Sequence, residues 1–137
     1  MKIVIDTNIL LISISSKSPY HSIVKAFNQR LYDLIVTTPI LLEYEEILSE
    51  KSNTLISNNM LGAILEAPNV IKLDIYYHWN IIIADSDDNK FTDAYINCDA
   101  DYLVTNDAHF KIAKQSKFPL INVISADEFL RILNTLK

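Results

Sequence analysis

The chain has 137 residues, half of them apolar, enough to bury one core and too apolar for a disordered segment. Seventeen acids against twelve bases give a net charge of −5, which argues against nucleic-acid binding by charge attraction alone. The single glycine, Gly62, excludes the glycine-rich loops that cradle phosphates, and the early charge at Lys2 and the short apolar runs lead to the expectation of no signal peptide and no membrane span.

The first apolar run, Lys2 to Ile5, reads as a buried strand ending at Asp6, and Thr7 to Ile14 follows as a helix. Ser18 and Pro19 pair as cap and first turn of a helix through Arg30. Leu34 to Val36 is a second strand. Thr38 and Pro39 repeat the capping signal before a helix over Ile40 to Lys51. Asn53 to Glu66 is helical and closed by Pro68, and Val70 to Leu73 is a strand. Trp79 to Ile83 is apolar without deciding between strand and loop. Asp88 caps a helix from Asn89 to Asp99. Tyr102 to Val104 is a strand, Ala108 to Gln115 a helix and Leu120 to Val123 a strand. Ser125 opens a closing helix to Leu136, with Asp127 and Glu128 in its first turn. Strands alternating with helices predict a three-layer α/β/α sandwich around a central, mostly parallel sheet, in one domain over residues 1–137. The lone cysteine, Cys98, cannot form an internal disulfide, and a cytoplasmic protein is expected.

In parallel sheets, sites form beyond the carboxyl ends of the strands. Asp6 and Asp107 both follow strands, so two acids a hundred residues apart emerge on one rim. Either alone could merely cap the helix that follows; the pair favours ligands. Between them, Asp85, Asp87, Asp88, Asp93, Asp99 and Asp101 crowd around a single cation, Lys90, as in a solvated loop or a divalent-metal site. Glu43 lies on the edge of its helix's apolar stripe, with Glu45 on the opposite edge, and periodicity does not choose between them. Nor does it settle Asp93, which lies opposite the Phe91, Ala94, Tyr95 and Cys98 stripe and beside Ile96 and Ala100.

Four stretches, in this order, resemble the motifs of the PIN-domain family, of the kind that serves as the ribonuclease toxin in VapBC-type toxin–antitoxin pairs. They are Ile3 to Leu10 with its Asp-Thr-Asn turn, Leu42 to Leu48, Asp87 to Ala94, and Ala100 to Asp107. The resemblance implies a metal-dependent endoribonuclease, whose chemistry suits hard oxygen ligands on one or two Mg²⁺ or Mn²⁺ ions. It places the catalytic, metal-holding acids at Asp6, Glu43, Asp93 and Asp107, with Asn8, Asp88 and Thr105 as supporting partners. Asp88 is also read as a helix cap. Should Asp93 not serve, Asp88 or Asp87 is the alternative third acid. The family also implies an RNA substrate, a small antitoxin partner and a homodimer. Asn97 and Cys98 stand where smaller residues are usual, and Asn106 replaces the usual small residue before the last acid.

If four acids held two divalent cations, the net charge of −5 would fall to about −1, and RNA binding would face less repulsion. Lys90, Lys111 and Lys114 are the candidate RNA contacts: Lys111 and Lys114 share a helix face with Lys117 following, and Lys17 and Lys90 lie on loops near the predicted rim. Among the histidines, His109 is nearest a proposed ligand. A second reading keeps the fold without the chemistry, as an RNA-binding or scaffold module whose acids cap helices. A third, phosphotransfer from an Asp after the first strand, lacks the second acid two residues on, where Asn8 stands.

Overall fold

A computed structural model describes residues 1–81, 88–117 and 119–136. Its elements are β1 (Lys2–Ile5), α1 (Thr7–Ser13), α2 (His21–Asn28), β2 (Asp33–Val36), α3 (Thr38–Lys51), α4 (Thr54–Glu66) and β3 (Val70–Lys72). There follow α5 (Asn89–Cys98), β4 (Tyr102–Val104), α6 (Lys111–Lys114), β5 (Val123–Ile124) and α7 (Ala126–Thr135). The sheet has the order β3-β2-β1-β4-β5, and every pairing is parallel. Ile3, Val4 and Ile5 are consecutive and all buried, so both faces of β1 are covered, which is why the central strands are continuously apolar rather than alternating. Helices flank both faces, giving the α/β/α sandwich.

The chain winds outward from β1 through β2 to β3, then crosses back to β4 on the other side of β1. The carboxyl ends of β1 and β4 therefore flank the point where the winding reverses, the place where such sheets open a crevice. Asp6 N–H still bonds Val104 O at 3.0 Å, so the first residue past β1 is held against the last of β4.

Several helix starts differ from expectation by local hydrogen bonding. Thr37, not Thr38, caps α3, accepting from Ile40 N–H, and Pro39 lies in the first turn. Asn53 caps α4. Ser18 does not cap α2, which begins at His21; its hydroxyl instead accepts from Tyr20 N–H in the turn before the helix. Asp88 stands at the N-cap position of α5, but its side chain makes no capping bond. The expected helix from Ala108 splits into a 3-10 turn, Ala108–Phe110, followed by α6. The last strand is Val123–Ile124, and Leu120 makes an antiparallel bridge to Lys117 instead. Ser125 and Glu128 form a reciprocal capping box on α7. Residues 73–81 carry no regular structure. The run 79–83 lies only partly within the described residues, and Asp85 and Asp87 lie outside them.

With a single glycine, the chain turns left-handed corners elsewhere: Arg30, Asn80 and Asp99 all have positive φ. Asp99 ends α5 at φ 52°, a conformation that Asp tolerates better than most side chains.

Candidate active site

Asp6 is 5% exposed, and Thr105 Oγ1 donates to its Oδ2 at 2.8 Å. Burial pushes its carboxyl up from 3.8 to about 6; the Thr105 hydrogen bond opposes this, while the charges of Asp88, Glu43 and Asp107 add to it. Three acids from three other elements thus converge on the buried carboxyl that ends β1. The same Thr105 oxygen accepts Asp107 N–H at 3.0 Å, so one hydroxyl at the end of β4 links both rim acids.

Glu43 is half-buried on α3, while Glu45 and Glu46 are exposed, a difference that periodicity left open. Its Oε1 meets Lys90 Nζ at 2.7 Å, and its Oε2 accepts a short hydrogen bond from Thr7 Oγ1. Lys90 belongs to the first turn of α5 rather than to a loop, and through Glu43 it partly offsets the cluster's charge. Thr7 takes the supporting position expected of Asn8, which is exposed on α1. Tyr44, fully buried, donates from its hydroxyl to Ile5 O and ties α3 to β1 just before Asp6.

At the other side of the cluster, Asp107 Oδ1 caps the 3-10 turn by accepting His109 N–H at 2.9 Å. His109 Nδ1 lies 3.3 Å from Asp88 Oδ2 and 3.6 Å from Asp107 Oδ1. Asp88, Asp107 and His109 offer three ligand atoms within 4.8 Å of one another. Asn106 supports the scaffold instead, since its side-chain oxygen accepts Ala126 N–H at 3.0 Å and fastens the loop after β4 to the start of α7.

Asp93 is engaged elsewhere. Although buried in α5, it accepts Trp79 N–H at 2.9 Å on one oxygen and His78 Nδ1 at 3.0 Å on the other. Because a carboxylate only accepts, the imidazole donates from Nδ1. Asp93 follows Asp88 by five residues, about 7.5 Å along the helix and ~140° around it, so the two side chains address different places. Asp88, at the end of α5 nearest the rim, joins Asp6, Glu43 and Asp107; Asp93 instead lines a cavity of about 470 Å³ with His78, Asn80, Asn89, Lys90, Thr37 and Thr38. A more open groove on the far side of Asp107 is lined by Lys111 and Lys114. Lys17 and Lys117 appear in neither lining.

Two chemical capacities follow. Oxygen donors converging around a carboxyl whose ionisation is suppressed by burial and by like charges fit a divalent cation, which would relieve both penalties. The lysine groove, which Asp107 lines, and the cavity walled by Lys90, the partner of Glu43, provide room for an extended ligand.

Residues 2–109 match the PIN domain family, and the chain belongs to it. Its fold is similar to that of VapC20 from Mycobacterium tuberculosis, described as a sarcin-ricin loop cleaving toxin: 12% identity, TM-score 0.62, covering 81% of this chain and 94% of that one. It is similar also to a chain of VapBC2 from Rickettsia felis, a complex bound to a DNA fragment from its promoter: 17% identity, TM-score 0.63, covering 91% of this chain and 98% of that one. No curated protein matches the sequence. Among the described residues, no helix is long and apolar enough to cross a membrane.

Proposed function

We propose that this PIN-domain protein is a metal-dependent endoribonuclease, the toxin of a toxin–antitoxin pair, in which Asp6, Glu43, Asp88 and Asp107 hold Mg²⁺ or Mn²⁺. The observation that carries the reading is the buried Asp6 carboxyl, raised to about 6 and flanked by those three acids where the sheet's winding reverses. In this reading Asp88 replaces Asp93 as the third acid.

When bound, a divalent ion supplies charge neutralisation at the phosphate and makes a nearby water easier to deprotonate. The chain's residues do the positioning. Thr105 orients Asp6 and holds the backbone of Asp107, while Thr7 and Lys90 fix the two oxygens of Glu43. His109, against Asp88 and Asp107, keeps those carboxylates facing each other. Hydrolysis breaks one P–O bond of the RNA; the hydroxyl of the water joins phosphorus and its proton leaves on the departing oxygen.

A small antitoxin and a homodimeric state complete the reading. The structural likeness to a chain of a VapBC complex supports the antitoxin; dimerisation rests on family resemblance alone. The test is cleavage of a mixed-sequence single-stranded RNA by antitoxin-free protein with Mg²⁺, with Mn²⁺ and with chelator. Cutting that needs the ion and disappears in Asp6→Asn supports the nuclease. Absence of cutting by folded protein would favour an RNA-binding module with the same fold.

A further inference from the structure

The stretch Tyr76-Tyr77-His78-Trp79 puts four ring-bearing side chains in succession on a segment without regular structure. Tyr76 is 89% exposed, Tyr77 61% and the His78 side chain 67%. Exposed rings in such density are unusual on a soluble surface, and these are not loosely held. Asp93, buried in α5, grips both His78 and Trp79 N–H. Asn97, one turn further along the same helix, donates to Tyr77 O at 3.4 Å, and the Tyr77 and Trp79 rings meet edge to face at 5.0 Å. The helix that anchors the segment is the one whose first turn carries Lys90, bonded to Glu43. His78 and Lys90 both line the cavity of about 470 Å³, within the range of small-ligand sites, roughly 300–1,000 Å³.

We propose that residues 76–80 form a base-contacting wall, on which Tyr76, Tyr77 and His78 stack unpaired bases of a single-stranded RNA whose backbone runs to the acid cluster. This rests on the ribonuclease reading for its substrate. Two features favour RNA over a protein partner. The cavity that His78 lines combines the apolar Pro39, Leu73 and Ile75 with the amides of Asn80 and Asn89 and the Asp74 carboxylate, and so offers both the apolar face and the polar edge that an unpaired base requires. One of its walls, Lys90, is bonded to Glu43, one of the acids at which cleavage would occur. The role of Asp93 is then positioning: it holds the wall in place.

Trp79 is the only tryptophan and reports directly on this wall. The experiment titrates Asp6→Asn protein, which leaves the RNA uncut, with a single-stranded octaribonucleotide and with an abasic octamer of equal charge, following Trp79 fluorescence. The octaribonucleotide is expected to change the fluorescence and bind at least roughly tenfold more tightly than the abasic strand. Tyr76→Ala/Tyr77→Ala in the same background should remove most of that difference, with the circular dichroism unchanged. In the wild-type background the same pair should raise KM with little effect on kcat. Equal binding of the two strands, or unchanged affinity in the double variant, would overturn the proposal, as would a variant that alters only the sedimenting mass, the mark of a protein contact. Should wild type bind bases through Trp79 yet cut no RNA, the wall stands and the nuclease reading fails; cutting with an unchanged KM in the double variant gives the reverse.

Discussion

Asp6→Asn should make the metal-free protein more stable while abolishing its activity. Burial pushes the native carboxyl from an ordinary 3.8 up to about 6, which at about 1.36 kcal/mol for each tenfold change in proton affinity amounts to about 3 kcal/mol. For a carboxyl raised on folding, the stabilising contribution is fully present below the unfolded value and lost as pH climbs through the folded one. Wild type should therefore lose about 3 kcal/mol between pH 4 and pH 7 through Asp6 alone, and the asparagine variant should lose none of that. The asparagine side chain retains an oxygen to accept from Thr105 and presents an amide to the neighbouring acids. At roughly 2.1 cal/mol/K per residue of unfolding entropy, 3 kcal/mol in a chain of this length corresponds to about 10 °C in Tm. The assay is calorimetry of both proteins in chelator at pH 4 and pH 7. The Tm difference should be small at pH 4 and near 10 °C in favour of the variant at pH 7. Saturating Mn²⁺ at pH 7 should narrow the gap by raising wild type, by about 2.7 kcal/mol at a hundred times Kd. A variant less stable than wild type at pH 7, or a difference independent of pH, would refute the crowded-carboxyl argument.

Thr105→Val keeps the shape but removes both the donor to Asp6 and the acceptor for Asp107 N–H. A cost of about 1–3 kcal/mol and a loss of roughly 10–100-fold in cleavage rate are expected. Because the Thr105 bond lowers the Asp6 titration, its loss should move the acid limb of the pH–rate profile to higher pH. Asp99→Gly relieves a left-handed corner at the end of α5, where the side chain is exposed; a gain of about 0.5–1 kcal/mol by urea melting is expected, with cleavage unchanged.

The architecture was legible because its signals are local. Uninterrupted apolar strands, the cap at Ser125 and a proline in the first turn of α3 can each be read within a few residues, whereas Asn53, the cap of α4, reads as the first residue of its helix. The strand-end acids were legible for a related reason: parallel topology sends every strand terminus to one rim. Asp88 and Asp93 were harder to separate because both sit in one acidic motif and α5 is buried on several sides, so no apolar stripe marks its inward face. What separates them is where α5 begins relative to the rim and which segment covers its flank, and both are tertiary facts. The segment that takes Asp93 has no periodicity to announce it. Lys90 read as a loop cation and acts as the partner of Glu43, a contact spanning 47 residues that no local pattern encodes.

The measurement that bears most directly on the acid cluster compares metal-saturated cleavage of one single-stranded RNA by Asp88→Asn and Asp93→Asn. The account predicts that Asp88→Asn loses at least roughly a hundredfold in kcat. Asp93→Asn should retain kcat within severalfold and show a raised KM, because it loosens the His78–Trp79 segment rather than the metal site. Loss of turnover in Asp93→Asn with near-normal turnover in Asp88→Asn would contradict it and return the third ligand to Asp93.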